Sequence, residues 1–296
     1  MVTIGASLIV KNEEVMLSQC LESIKGFDEI VIVDTGSTDD TVKIAKKYTD
    51  KVYTDFTWCD SFCKARNHAL SKNTADWIYM LDADEHLISP VEKVREWAEK
   101  GEKNGWLTID VQVEHGERDR FYFPRLFKRD PRVYWCGDIH NYLSIRQFNV
   151  SDIRHHYDYS PAHKNDPDRA LRILKKTVTE NPKCVREKFY LAREYWYRKM
   201  YIEALAWYNE YLRVAYFGAE IVEAWLCKAK CLWYLHRGDE AREACAKCIS
   251  LNSNFKEAIL FLAEMSGPGN KKRWAEFAKT ASNEGLLFIR TADEPK

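Results

Sequence analysis

The run Trp77 to His86, W-I-Y-M-L-D-A-D-E-H, constrains this chain more than any other, because an apolar stretch with strand character ends in three acids, Asp82, Asp84 and Glu85. Carboxylates are almost never buried without a partner, so a buried strand that stops at three of them marks a sheet rim where charge meets water or a ligand. Extended backbone would place Asp82 and Asp84 on one side and the intervening residue on the other, so that the pair can share one hard cation. An isolated Asp-x-Asp is read first as a turn or a solvated strand end. The surrounding sequence favours a site.

Short apolar runs alternate with amphipathic ones through the first hundred residues. Residues 6–10 (A-S-L-I-V), 29–33 (E-I-V-I-V, ending at Asp34), 51–53 and 76–81 are predicted strands. Between them, 14–24 carries Leu17, Cys20, Leu21 and Ile24 at helical spacing, 40–48 is a helix capped by Thr38 or Asp39, and 61–71 is a third helix. This order predicts an α/β fold, a parallel sheet with helices on both faces, whose ligands bind beyond the carboxyl ends of the strands. Those ends carry Lys11, Asn12, Glu13 and Glu14, then Asp34, Thr35 and Gly36, then Asp82, Asp84 and Glu85. No G-x-G-x-x-G follows the first strand and no G-x-x-x-x-G-K-[ST] occurs, so a Rossmann dinucleotide site and a P-loop are both unsupported. A nucleotide here would be held by acids and a metal.

From Trp106 to about Ile153 short β-prone pieces follow, L-T-I-D-V-Q-V, R-F-Y-F-P-R-L-F, V-Y-W and Y-L-S-I, which extend the sheet and wall the crevice. Beyond Pro161 the composition turns to Ala, Leu, Glu, Lys and aromatic residues with helical period, which sets expected domains of 1–160 and 161–296. Ala192-Arg-Glu-Tyr-Trp-Tyr with Glu203-Ala204-Leu205 is echoed by Ala229-Lys-Cys-Leu-Trp-Tyr with Glu240-Ala241-Arg242, and a third unit is expected near Ala263. Paired helices repeating at this interval with small residues at the crossings predict a tetratricopeptide-like array, with an irregular bundle as the alternative. The aromatics there, from Tyr190 to Tyr234, are expected to be mostly core.

Lys+Arg and Asp+Glu both total 45, so no global field favours nucleic acid or a membrane surface. The nine cysteines are odd in number and several recur at helical spacing, which predicts reduced, mostly buried thiols; Cys227, Cys231, Cys245 and Cys248 read as packing before zinc. No segment approaches the roughly 18 consecutive apolar residues of a membrane helix, and the N-terminal residues lack a signal-peptide pattern, so no membrane span and a cytoplasmic location are expected.

Six motifs in order carry a family resemblance: S-L-I-V-K-N-E-E (7–14), E-I-V-I-V-D-T-G-S-T-D-D-T (29–41), W-C-D-S-F-C-K-A-R-N (58–67), W-I-Y-M-L-D-A-D-E (77–85), P-R-L-F (124–127) and G-D-I-H-N-Y-L (137–143). With these the chain resembles the family 2 glycosyltransferases of the GT-A fold, and among them the bacterial and phage group in which that domain precedes tetratricopeptide-like helices. The resemblance implies a Rossmann-like, mostly parallel sheet followed by an all-α domain.

It further implies that Val10, Asn12, Glu14, Asp34, Arg66, Asn67, Asp82 and His140 bind the nucleotide-sugar. Asp82 and Asp84 would hold Mn²⁺ or Mg²⁺, with His155 or His156, placed after the last β-like piece, as a further ligand. For the catalytic base relatives show Ile-His-Glu where this chain has Ile139-His140-Asn141; an amide cannot take a proton, which leaves Asp138 and Glu85 as candidates. The function expected is an inverting, metal-dependent transfer of a sugar from a nucleotide diphosphate, UDP-glucose or a related UDP-sugar first. The acceptor would be a peptide or protein recognised by the helices, with nucleic acid, small-molecule and lipid-linked acceptors open and a homodimer through the helices conceivable. The rival readings are another nucleotide-diphosphate-handling transferase, and a repeat adaptor with a relic nucleotide domain.

Overall fold

The computed structural model describes residues 1–115, 119–162 and 166–282. The chain forms two compact units, Met1–Arg169 and Ala170–Lys296.

In the first unit the described strands form an eight-stranded sheet in the order β3-β2-β1-β4-β7-β6-β10-β5. β1 (Ile4–Val10), β2 (Glu29–Asp34), β3 (Val52–Tyr53) and β4 (Trp77–Met80) pair in parallel, joined by α1 (Leu17–Ser23), α2 (Thr41–Ala45) and α3 (Phe62–Lys72). Beyond β4 the sheet is mixed. β7 (Asp119–Lys128) runs antiparallel to both β4 and β6 (Thr108–His115), β10 (Asn149–Tyr157) is parallel to β6, and β5 (Glu85–Leu87) closes the edge antiparallel to β10. A separate ribbon pairs β8 (Trp135–Cys136) with β9 (Tyr142–Leu143).

β4 is uniformly apolar because it is central and covered on both faces. Trp77 and Tyr79 enter one core cluster with Ile4, Leu8, Leu17 and Leu21, while Ile78 and Met80 enter the other with Phe127, Val133 and Trp135. α4 (Val91–Asn104) lies against the first cluster through Val94, Ala98 and Gly101, and ends on Gly105 in the left-handed region at φ 67°.

Two expectations need correction. Asp82 and Asp84 do not share one face of a strand: β4 stops at Met80, and 82–84 form a turn closed by Glu85 N–H donating to the Asp82 carbonyl at 3.1 Å. His155 and His156 do not follow the last strand but lie inside β10, so pleating sends them to opposite faces. The parallel pairing expected of the first four strands is present, and β7, β6, β10 and β5 extend it as a mixed sheet.

The second unit is helical. Among the described residues α5 (Arg169–Glu180) precedes three helical pairs: α6 (Arg186–Tyr197) with α7 (Tyr201–Val214), α8 (Gly218–Tyr234) with α9 (Gly238–Leu251), and α10 (Lys256–Glu264) with α11 (Pro268–Ala278). Ala192 and Ala229 are buried at equivalent places in α6 and α8, and Ala263 is buried near the end of α10. None of the nine cysteines is in a disulfide; Cys227, Cys231, Cys245 and Cys248 are buried and pack as core, Cys245 Sγ donating to the Ala258 carbonyl at 3.1 Å and Cys248 Sγ to that of Val222 at 3.3 Å. The aromatics are less buried than expected. Tyr190, Tyr195 and Tyr208 are core, whereas Tyr197, Trp233 and Tyr234 are exposed, since a stack of helical pairs leaves broad faces uncovered. Among the described residues no helix is long and apolar enough to cross a membrane.

Gly101 tests the packing of the first unit. A Cβ there would stand 2.5 Å from Trp77 Cη2 and 2.7 Å from Cζ2. Gly101→Ala is therefore expected to lower unfolding stability by about 2 kcal/mol through overpacking, read from urea titration. An unchanged midpoint would show that α4 can shift away from the sheet.

Candidate active site

The carboxyl ends of β1, β2 and β4 open on a cleft of about 290 Å³, lined among others by Val10, Lys11, Asn12, Glu13, Asp82 and Asp84. A second cleft of about 250 Å³ shares Phe62, Arg66, Asp82 and Arg169 with it and continues past Phe123, Arg125, Trp135 and His140.

The wall between them is the turn 82–84, and its position is set from below. Glu85, 2% exposed, accepts from Arg125 Nη2, accepts the Asp82 N–H at 2.7 Å, and stands 3.2 Å from His155 Nε2, an ion-pair distance whose geometry falls short of a hydrogen bond. Tyr79 Oη lies 3.2 Å from His155 Nδ1. Burial would raise the Glu85 pKa, but Arg125 and His155 outweigh it and hold the carboxyl well below its usual range.

The two aspartates differ. Asp82 accepts Arg66 Nη2 on both oxygens, at 2.8 and 3.1 Å, and has Arg125 Nη1 at 3.8 Å. Asp84 is 4% exposed and accepts the Ser160 N–H at 3.2 Å. Burial, with the nearby carboxylates Asp82, Glu85 and Glu13, pushes its pKa up to about 7. Glu13 accepts from Ser160 Oγ at 2.6 Å, and burial together with Asp82 and Asp39 raises its pKa as well. The acidic side of the cleft thus carries its negative charge at a cost, which a divalent cation would relieve.

Several residues singled out in the sequence support the walls. Asn12, at φ 55°, accepts the Thr38 N–H at 2.8 Å, and Glu14 accepts the Asp40 N–H at 3.0 Å, so both brace the T-G-S-T turn. Asp34 accepts the N–H groups of Gly36 and Ser37, each at 3.0 Å. Asn67 exchanges two hydrogen bonds with the Trp135 backbone, at 2.9 and 2.8 Å, fastening the β8 ribbon to α3. Of these, Asn12 alone also lines the first cleft; Val10 lines it, with its carbonyl accepting the Thr35 N–H at 2.9 Å.

The expected metal set, Asp82 and Asp84 with one of His155 and His156, is not gathered at one point. His155 is fully buried between Tyr79 and Glu85, and His156 faces the other way, 3.1 Å from Asp158 Oδ1 and against the His86 ring. Among the described residues no three His, Cys, Asp or Glu are gathered as in a protein-only metal site. Asp82 and Asp84 fit a cation whose remaining ligands are phosphate and water, the usual manner of Mg²⁺.

Neither expected base is among the residues lining these two clefts. Glu85 is sealed beneath the turn, and Asp138 turns its carboxylate to the Cys63 thiol at 3.7 Å. Asn141 accepts from Arg66 Nε at 3.3 Å while its amide nitrogen donates to the Cys136 and Gly137 carbonyls, bonds that a carboxylate could not make. Sequence reasoning missed Arg125, although an arginine inside the apolar strand F-Y-F-P-R-L-F was a visible signal; it missed Trp58, which opens the motif W-C-D-S-F-C-K-A-R-N, and Tyr157 and Arg169, which lie in no motif, and all three line the first cleft.

Residues 7–152 match the model of Glycosyl transferase family 2, and the first unit is a domain of that family. Among relatives, the chain is similar to the SPbeta prophage-derived glycosyltransferase SunS of Bacillus subtilis, 31% identical over 211 residues, which is 65% of this chain and 49% of that one. It is 35% identical over 143 residues to a TPR repeat-containing protein of Synechococcus elongatus, covering 47% of this chain and 35% of the relative. The chain therefore spans half or less of the length of both. The crystal structure of S. aureus TarS 1-349 in complex with UDP covers 94% of this chain and 90% of its own at 14% identity, with a TM-score of 0.45, too distant to carry detail from one to the other.

The Glu85 network yields a direct test. Glu85→Gln leaves the buried Arg125 with Asp82, at 3.8 Å, as its remaining ion-pair partner, so a loss of about 3 kcal/mol of unfolding stability is expected in urea titration. Unchanged stability with abolished turnover would instead make Glu85 a catalytic base.

Proposed function

We propose that the chain transfers a sugar from a nucleotide diphosphate, a UDP-sugar first, to an acceptor. The observation that carries this reading is the pair Asp82 and Asp84 at the wall of the first cleft, one bonded to arginine and the other with its pKa raised to about 7 by burial and neighbouring carboxylates. A buried acid of that kind gains from a divalent cation, and a diphosphate leaving group brings the cation's other ligands.

In this reading the nucleotide lies along Val10, Lys11 and Asn12, and the diphosphate reaches Asp82 and Asp84, which would hold Mn²⁺ or Mg²⁺. Such a cation, when bound, neutralises charge as the glycosidic bond breaks. The chain's own Lys11, Arg66 and Arg169, which line the same cleft, add positive charge about the leaving group. The sugar then lies toward the second cleft, walled by Phe123, Trp135 and Arg125. Attack from that side, opposite the leaving group, inverts the anomeric centre. The helical unit is assigned to the acceptor, a peptide or protein, because exposed Tyr197, Trp233 and Tyr234 offer the amphipathic rings that recognition surfaces use.

Calorimetric titration of UDP with and without Mn²⁺ tests the donor site. Asp84→Asn is expected to abolish the Mn²⁺-dependent part of UDP binding while leaving the metal-free chain at least as stable, because it removes one of several crowded charges. Unchanged UDP affinity in that variant, or a fall in its melting temperature, would contradict the assignment.

A further inference from the structure

We infer that Arg169 binds the sugar-bearing phosphate of the donor diphosphate directly, independently of the cation, an assignment that rests on the donor reading above. In such a donor the bond to be broken joins the sugar to the distal phosphate, so that phosphate lies where the nucleotide cleft meets the sugar cleft. Among the described residues Phe62, Arg66, Asp82 and Arg169 line both clefts. Two of these four are cations, and they are used differently.

Arg66 is spent on the protein. Its Nη2 donates to both Asp82 oxygens, at 2.8 and 3.1 Å, and its Nε to Asn141 at 3.3 Å. Arg125 pairs with the buried Glu85 and lines the second cleft alone, while Lys11 is exposed and lines the first cleft alone. Arg169 is half-buried at the junction, and among the described residues no carboxylate stands within ion-pair distance of its guanidinium. What it meets instead is the Phe62 ring, with Cζ 5.1 Å from the centroid.

That stacking aims the guanidinium without consuming its donors. A guanidinium over an aromatic ring uses its flat face, and its N–H groups, which lie in the plane, stay available to a forked pair of oxygens such as a phosphate offers. The ring beneath is itself held. Phe62 packs edge-on against Trp58, centroids 4.9 Å apart at 73°, and its N–H donates to the Asp138 carbonyl at 2.8 Å. Trp58 is fixed in turn by Nε1 donating to Asp60 Oδ1 at 3.0 Å. The Arg169 charge also reaches the acidic wall, where it opposes the rise that burial imposes on the Glu13 pKa. A diphosphate approaching Glu13, Asp82 and Asp84 would be repelled by them, and Arg169 supplies fixed positive charge beside these acids before any cation binds.

Calorimetric titration of UDP and UMP in EDTA, where no divalent cation contributes, reads this contact. The unmodified chain is expected to bind UDP about tenfold or more tightly than UMP, the size of a hydrogen bond to a charged group. Arg169→Gln should remove that preference and leave UMP affinity unchanged, and Arg169→Lys, a point charge without the fork, should retain part of it. An Arg169→Gln chain that keeps the full preference for UDP overturns the inference. So does one that loses UDP and UMP affinity together, which would make Arg169 a support of the cleft wall. If the unmodified chain shows no preference for UDP over UMP in EDTA yet binds UDP with Mn²⁺, the Arg169 assignment fails alone; if it binds neither nucleotide with or without Mn²⁺, the donor reading fails with it.

Discussion

The ion pair of Arg125 and Glu85 is the interaction on which the site depends. Both groups are buried, and each charge would be costly there without the other. Arg125 comes from β7 and Glu85 opens β5, while His155 of β10 and Tyr79 of β4 complete the network, so one buried cluster ties four strands. Glu85 in turn accepts the Asp82 N–H, which fixes the carboxylate turn that the apolar strand β4 leads into. A site of this kind is as precise as the layer beneath it, and here that layer is a charge network rather than packed hydrocarbon.

Electrostatic asymmetry follows from the same arrangement. Arg66 and Arg125 approach Asp82, whereas Asp84, two residues on, is surrounded by burial and carboxylates that raise its pKa. A stability-optimised chain would replace such an acid by an amide. Retaining it is the expected trade of stability for a charged ligand, and it explains why the site reads as incomplete from protein atoms while fitting a cation that arrives with phosphate.

The first four strands and three helices were legible because each apolar run had a clear period and a polar terminator. β10 was not: in N-V-S-D-I-R-H-H-Y the buried positions are Ser151, Ile153 and His155, so the alternation is real but two of its three inward residues are polar. Ser151 escapes a penalty by donating to the Asp110 carbonyl at 2.8 Å, and His155 by meeting Tyr79 and Glu85, partners that only the fold brings near. α4 was hidden by its Glu and Lys content, since Val94, Ala98 and Gly101 form too narrow an apolar stripe to stand out. The acids at the strand ends were legible as a set, but their division of labour was not. Glu85 differs from Asp84 by one position in sequence, yet it meets Arg125 and His155 whereas Asp84 lies among carboxylates, and Asn12, Asp34 and Asn67 spend their polar atoms on the loops that frame the cleft. The helical pairs followed from their repeat, whereas the exposure of Tyr197, Trp233 and Tyr234 did not, because periodicity locates a face without saying whether anything covers it.

The central claim is that Asp82 and Asp84 hold a cation only together with a nucleotide diphosphate. Electron paramagnetic resonance of Mn²⁺ reads this directly, because the aqueous ion's signal is lost on binding. With the chain alone the signal should persist. With chain and UDP together it should fall beyond the loss that UDP causes by itself, and UMP, which lacks the second phosphate, should not substitute. Binding of Mn²⁺ by the chain without nucleotide, or an equal response to UMP and UDP, would contradict the account.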